Sequence, residues 1–234
     1  MNKISAIICA YNEEKTLENV IISVAQSNLF DEIIIINDGS TDSTNNIILK
    51  LKKSFNLIDI HFTENKGKGY AMAEGIERAG GEILVFIDAD LEGIKKKHLL
   101  SLIEPIIEKK ADLVMGQPII YLFSDYKINP LKYLTGERAL YKKDILPIVD
   151  RIRYSKFGVE TLINLYYKAS NKKMKMVLLN GIKHYIKFEK TNSSKAFMQY
   201  LQAIKQILVT AINNHNMISK IIKNNIKIIV IPKS

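Results

Sequence analysis

The sequence predicts an α/β protein: an open, mostly parallel sheet with helices on both faces, followed by a C-terminal helical extension. Three observations predict it. Unbroken apolar runs such as Ile33–Ile36 and Ile83–Ile87 are what strands look like when both of their faces are covered. Over the first 117 residues such runs alternate with segments of helical length and period, the signature of successive strand–helix–strand units. Polar residues capable of chemistry collect just after the runs, and sheets of this kind bind ligands beyond the carboxyl ends of their strands.

The first strand is expected over Ile4–Cys9, ending in Ala10-Tyr11-Asn12-Glu13-Glu14, with a helix over Thr16–Ser27. A second strand, Glu32–Ile36, runs into Asn37-Asp38-Gly39-Ser40-Thr41-Asp42 and a helix over Thr41–Ser54. Ser40 or Asp42 suits the cap of that helix. A cap does not account for Asp38, which is placed to accept from a nucleobase N–H or a ribose hydroxyl. A third strand, Ile58–Phe62, leads to Asn65-Lys66-Gly67-Lys68-Gly69 and a helix over Lys68–Ala79. Two glycines and two lysines at a helix start suit a phosphate, and they equally suit an ordinary turn with solvated lysines. Met72 stands where a dinucleotide fingerprint needs its third glycine, and the Gly-Lys-Ser/Thr ending of a P-loop is missing. The central strand is Ile83–Ile87, then come a helix over Lys97–Lys109 and a strand at Leu113–Met115.

After the central strand the chain turns acidic, with Asp88, Asp90 and Glu92. On an extended backbone Asp88 and Asp90 share one side. Two carboxylates about 4 Å apart repel by roughly 4 kcal/mol at an effective dielectric near 20, so the pair calls for a cation or a shared proton. A hard divalent ion with oxygen ligands fits best. Taken alone, Asp-x-Asp is also the composition of an acidic loop.

Composition bounds the remaining classes. The chain has 234 residues, 47% hydrophobic and 25% charged, with a formal net charge of +10 that favours an anionic partner. A single cysteine, Cys9, excludes an internal disulfide and fits a reducing compartment. No apolar run reaches the roughly 18 residues that span a bilayer and the first residues lack a signal-peptide layout, so the expectation is cytoplasmic. Lysines are scattered among the helices without a nucleic-acid motif, which argues against nucleic acid as the partner.

Taken together, IICAYNEEKTL, EIIIINDGSTDST, ENKGKGYAMAEGI, ILVFIDADLEG, LTGERALYKKDIL and KFGVETLINL resemble, in order and over residues 3 to 190, the family-2 type of nucleotide-sugar glycosyltransferases. Their fold is called GT-A. Within the family the chain looks most similar to polyprenyl- and dolichyl-phosphate mannosyltransferases, and its Gly-Glu-Arg-Ala and Gly-Val-Glu segments resemble glucosyl-3-phosphoglycerate synthase-like enzymes. The resemblance implies that Ala10, Tyr11 and Glu13 line the base and ribose pocket, that Asp38 holds the base edge, and that Lys66 and Lys68 lie near the nucleotide. Asp88 and Asp90 would bind Mg²⁺ or Mn²⁺ through the diphosphate of a GDP- or UDP-sugar. Glu92 stands where the polyprenyl-phosphate enzymes usually carry Gln, and adds a negative charge. His184 lies where some relatives place a further metal or diphosphate contact.

Residues 1–117 thus form the expected nucleotide-sugar half, 118–190 the acceptor half of the same domain, and 191–234 the extension. Pro118–Leu134, with Tyr121, Phe123, Tyr126 and Tyr133, reads as a loop that covers a lipid or sugar, or packs its own rings. Arg138 resembles the arginine that contacts an acceptor phosphate, or forms a structural ion pair. Glu160, opening a helix over Glu160–Ala169, occupies the place of the acidic base in hydroxyl-acceptor enzymes, or is a carboxylate stabilised by the helix dipole. A helix is expected over Ala196–Ile212. Met217–Ile226 and the strand-like Lys227–Pro232 suit a peripheral contact with an anionic membrane, a homodimer contact or a cover for the core. The function expected is metal-dependent sugar transfer to a phosphate-bearing acceptor, with polyprenyl phosphate first. Transfer to a hydroxyl with Glu160 as base is the alternative, and a sugar-nucleotide nucleotidyltransferase or a non-catalytic nucleotide-binding module the rival class.

Overall fold

The computed structural model describes residues 2–118, 135–155, 158–184, 205 and 208–229. In chain order its first half contains β1 (Ile4–Ala10), α1 (Leu17–Gln26), β2 (Glu32–Asn37), α2 (Thr44–Lys52), β3 (Leu57–His61), α3 (Lys68–Arg78), β4 (Ile83–Asp88), β5 (Leu91–Glu92), α4 (Lys96–Ile107) and β6 (Leu113–Pro118). The second contains β7 (Arg138–Tyr141), α5 (Lys142–Ile145), a 3₁₀ turn at Leu146–Ile148, α6 (Val149–Arg153), α7 (Val159–Ala169), β8 (Met174–Leu179), β9 (Lys183–His184) and α8 (His215–Ile229). Strands β3-β2-β1-β4-β7-β6-β8 form one sheet, and β5 pairs with β9 in a small antiparallel ribbon. All pairings in the large sheet are parallel except those of β7, which runs antiparallel to both β4 and β6.

The apolar runs are buried on both sides, and residue parity decides which side. Ile7, Ile34, Ile36, Leu84 and Phe86 meet Ala71, Met72 and Ile76 of α3 and Leu162 and Ile163 of α7. Ala6, Ile8, Ile33, Ile35, Val85 and Ile87 meet Leu17, Val20 and Val24 of α1, Ile48 and Leu51 of α2, and Leu99, Leu102 and Ile106 of α4. Residues two apart share a face of a strand, so one unbroken run feeds two cores.

Most expected boundaries lie close to those found, and the two larger differences have local causes. Helix α2 begins at Thr44 rather than Thr41, and residues 41–43 belong to the turn before it: Thr41 N–H donates to Asn12 Oδ1 and Ser43 N–H to Glu14 Oε2. Strand β6 runs on to Pro118 because Gly116, Gln117 and Pro118 pair with Val177, Leu178 and Leu179 of β8. The strand expected at Lys227–Pro232 is corrected: Lys227–Ile229 continue α8, whose Ile218, Ile221, Ile222 and Ile229 recur at helical spacing. The rest of that segment, the loop at 119–134 and most of the helix expected over 196–212 lie outside the described residues. Among the described residues no helix is long and apolar enough to cross a membrane.

The loops after β1 and β2 are laced together. Ser43, rather than Ser40 or Asp42 as expected, stands at the cap of α2; Asn12 N–H donates to Ser40 Oγ, Glu13 N–H to Thr44 Oγ1 and Glu14 N–H to Asp42 Oδ2. Its other oxygen takes the Thr44 N–H. Gly39, at φ 69°, brings this turn against the loop after β3; a Cβ there would stand 2.3 Å from the carbonyl carbon of Glu64. A Gly39→Ala variant adopts a left-handed conformation against a backbone wall, so it is expected to lose about 1–3 kcal/mol in a urea titration. An unchanged midpoint would mean that the two loops move apart at no cost.

Candidate functional site

A cavity of ≈ 230 Å³ opens at the carboxyl ends of β1, β2 and β4, lined by Cys9, Ala10, Tyr11, Glu13, Asp38, Asn65, Gly67, Lys68, Ala71, Asp88, Ala89, Asp90 and Glu160. A larger one, ≈ 710 Å³, lies at the other end of the sheet, between residues that precede β1, β4 and β6 and residues following β7. We place the site at the smaller, because there the expected donor residues and the acids after β4 meet.

The first wall is built by the laced loops. Tyr11, exposed at the mouth, presents a ring, while Glu13 and Asp38 are buried behind it. Asp38 accepts the Lys66 N–H at 2.7 Å on one carboxylate oxygen and the Gly67 N–H at 2.9 Å on the other. The carboxylate therefore fixes the loop that starts α3, in addition to facing the cavity. Lys66 is not among the lining residues; its ammonium lies 5.3 Å from the Phe62 ring centre and 4.8 Å from that of Tyr70.

The second wall is electrostatic. Lys68, first residue of α3, reaches Asp88 Oδ1 at 2.9 Å and Glu160 Oε1 at 2.8 Å. Burial works against charge on Lys68, but the carboxylates of Asp88 and Glu160 outweigh it and hold its pKa well above the ordinary lysine value. Glu160 sits in the first turn of α7, where the helix dipole favours a carboxylate. Asp88 closes β4, and Asp90 follows in the turn before β5; both line the same cavity, brought there by the turn rather than by the extended backbone expected. Burial pushes the Cys9 thiol up to about 12, the nearby acids adding to it against the pull of Lys68, so Cys9 is an unreactive part of the floor.

Strand β7 backs this wall. Its register with β4 pairs Arg138 with Phe86, so two steps further the antiparallel frame brings Gly136 opposite Asp88. A Cβ on Gly136 would lie 2.1 Å from Asp88 Oδ2. Only a residue without a side chain lets this backbone lie against the carboxylate.

Arg138 is fully buried and does not line the cavity. Its Nε donates to the Thr135 carbonyl at 2.8 Å, and one terminal nitrogen donates to Asn164 Oδ1 at 2.8 Å and to the Glu160 carbonyl at 3.5 Å. Burial lowers its pKa, while Glu160, Asp88 and Glu137 pull the other way, and a guanidinium stays charged throughout. Thr135 in turn donates to Glu137, itself fully buried. Glu92 is exposed on β5 and lies outside the cavity. The backbone of His184 pairs with Leu91, one residue beyond Asp90, and its side chain lies outside the described residues. Sequence reasoning missed Thr135 and Asn164. Asn164 carried a signal, standing four residues after Glu160 on the same helix face.

The family model for Glycosyl transferase family 2 matches residues 5–156 of this chain. The chain belongs to that family. It is 33% identical over 155 residues to poly-β-1,6-N-acetyl-D-glucosamine synthase of Staphylococcus epidermidis, an alignment covering 65% of this chain and 32% of the relative. The same-named protein of Staphylococcus aureus (strain COL) is 39% identical over 155 residues with the same coverage. The chain thus spans about a third of the length of these curated relatives. Among solved structures it is similar to glucosyl-3-phosphoglycerate synthase from Mycobacterium tuberculosis in complex with Mn²⁺, UDP and phosphoglyceric acid, with a TM-score of 0.70, 21% identity, and coverage of 89% of this chain and 78% of that one. The same enzyme with Mg²⁺ and UDP gives 0.70, 21%, 89% and 79%. This family-2 chain therefore has the GT-A fold.

In such a site Arg138 acts as an internal cation beneath Glu160. Replacing it with Met leaves buried carboxylate charge without its partner, so Arg138→Met is expected to cost about 3–5 kcal/mol of unfolding free energy. A urea midpoint within error of the wild type would show that the guanidinium is not a structural element.

Proposed function

We propose that the protein is a metal-assisted glycosyltransferase that moves one sugar from a nucleoside diphosphate sugar to a hydroxyl group of its acceptor. The observation that carries this reading is that Glu160 lines the same cavity as Asp88 and Asp90 and is joined to Asp88 through Lys68. A carboxylate beside the donor site is what a hydroxyl acceptor needs, since a hydroxyl must lose a proton and a phosphate arrives ionised. Arg138, the residue expected to receive an acceptor phosphate, is enclosed behind the wall, which weighs against polyprenyl phosphate. The curated relatives, named for synthesis of an N-acetylglucosamine polymer, support a carbohydrate hydroxyl.

The residues divide the work by chemistry. Tyr11 offers its ring to the base, and Glu13 and Asp38 offer acceptor oxygens to base and ribose. Lys68 supplies positive charge at a helix start, where a diphosphate is stabilised. The fit to a divalent cation is visible at Asp88, which already holds a cationic stand-in, the Lys68 ammonium at 2.9 Å, with Asp90 lining the same cavity. Among the described residues no three acidic, histidine or cysteine side chains form a ligand set by themselves. Asp88 and Asp90 would therefore hold Mg²⁺ or Mn²⁺ together with oxygens of the donor, and the bound ion would neutralise charge on the departing diphosphate. Neighbours crystallised with Mn²⁺ or Mg²⁺ and UDP support both the ion and the nucleotide. Glu160 accepts the proton of the attacking hydroxyl, on the face opposite the leaving group when the anomeric centre inverts. Asn164 and Arg138 hold its helix in place.

A thermal-shift panel of nucleotide sugars with and without Mn²⁺ tests the donor and the ion together. One UDP- or GDP-sugar is expected to stabilise the protein far more with Mn²⁺ than without it. Asp90→Ala is expected to abolish that synergy and the transfer; substantial transfer by this variant with added Mn²⁺ would remove the ion from the reaction. Glu160→Gln should keep the donor-induced shift and lose turnover by about 10²- to 10⁴-fold. Equal turnover would reject Glu160 as the base.

A further inference from the structure

We propose that Lys68 is a built-in competitor of the metal: its ammonium ties Asp88 to Glu160, and entry of the divalent cation displaces it. The inference rests on the metal-assisted reading above and adds a step to it, in which loading the ion on Asp88 and releasing Glu160 are one event.

The geometry points there for three reasons. One ammonium spans both acids, 2.9 Å from Asp88 and 2.8 Å from Glu160, so each carboxylate has an oxygen committed to it. A divalent cation bound to Asp88 would sit within a few ångström of that ammonium and repel it, which weakens the hold of the carboxylate on the lysine. The backbone at Lys68 is anchored, because the preceding N–H groups of Lys66 and Gly67 are held by Asp38. Its side chain is held only at the ammonium: 26% of it is exposed, and a flexible four-carbon stem lets the charge move without moving α3.

Displacement has a useful direction. The cation arrives with a diphosphate, so an ammonium released from Asp88 finds phosphate oxygens in the same cavity. Glu160 then loses the cation that occupied its Oε1 and faces the acceptor. The Gly136 backbone lies against the Asp88 carboxylate, which restricts how far that carboxylate can shift. The same bridge keeps two like charges together, Asp88 and Glu160.

The test uses the full chain, Mn²⁺ alone as probe, and the variants Lys68→Gln and Lys68→Met. Free Mn²⁺ followed by electron paramagnetic resonance, without nucleotide, is expected to show both variants binding the ion more tightly than the wild type by about 5- to 50-fold, within the range of ordinary coupling between competing ligands. Metal-free variants should melt lower, and Mn²⁺ should raise their melting temperature by more than it raises that of the wild type. UDP in the absence of metal should bind the variants more weakly. Should Lys68→Gln not fold, Lys68→Met keeps the apolar stem and carries the measurement. A lysine that is only a structural strut predicts variants with lower melting temperature, no rescue by Mn²⁺ and unchanged or weaker Mn²⁺ affinity; that result overturns the proposal. If it occurs while the wild type takes up Mn²⁺ in the presence of UDP, the metal-assisted reading stands and this inference alone falls. If the wild type takes up no Mn²⁺ even with UDP, both fall.

Discussion

The site depends on holding like charges together at the tip of one buried strand. Asp88 ends β4, Asp90 follows it, and Glu160 reaches in from α7, all around one cavity. Lys68 stands among them and Arg138 lies behind, so the fold supplies two cations from two separate elements. Neutralising carboxylates from within is costly in a partly buried place, and this cost is met by placement rather than by strength. Lys68 is held at a helix start whose loop is fixed by Asp38, and Arg138 is locked by Thr135 and Asn164.

The sheet makes this placement possible. Unbroken isoleucine runs in β1, β2 and β4 are buried on both faces, which leaves their carboxyl ends as the natural opening. The laced loops after β1 and β2 then form a continuous wall, because their backbone donors are taken up by Ser40, Asp42 and Thr44. A rigid wall suits a nucleotide.

Much of this was legible in the sequence, and the part that was not has a physical reason. Apolar runs bounded by polar turns identify buried parallel strands, and Asp38, Asp88 and Asp90 could be placed because a residue after such a strand has one place to go. The four residues of β7 gave no such signal: Arg-Ala-Leu-Tyr has too few apolar positions, and its neighbours in the sheet come from far away in the chain. Arg138 left two readings open for the same reason, a phosphate contact or a structural ion pair, and only the sheet shows that it is buried. Lys66 and Lys68 are two residues apart and alike in sequence, yet one lies over the rings of Phe62 and Tyr70 and the other between carboxylates. Glu92 shares its neighbours' chemistry but lies on the β5–β9 ribbon, outside the cavity.

The alignment of β7 with β4 sets a limit on how the segment before it can change. Because Gly136 faces Asp88, sliding β7 by one position in either direction would bring Thr135 or Glu137 against the carboxylate and turn Arg138 toward the opposite layer of the sheet. Length changes in residues 119–134 are therefore tolerable only where they leave that alignment alone. Exchanging this segment between relatives is thus a problem of strand phase before it is one of composition.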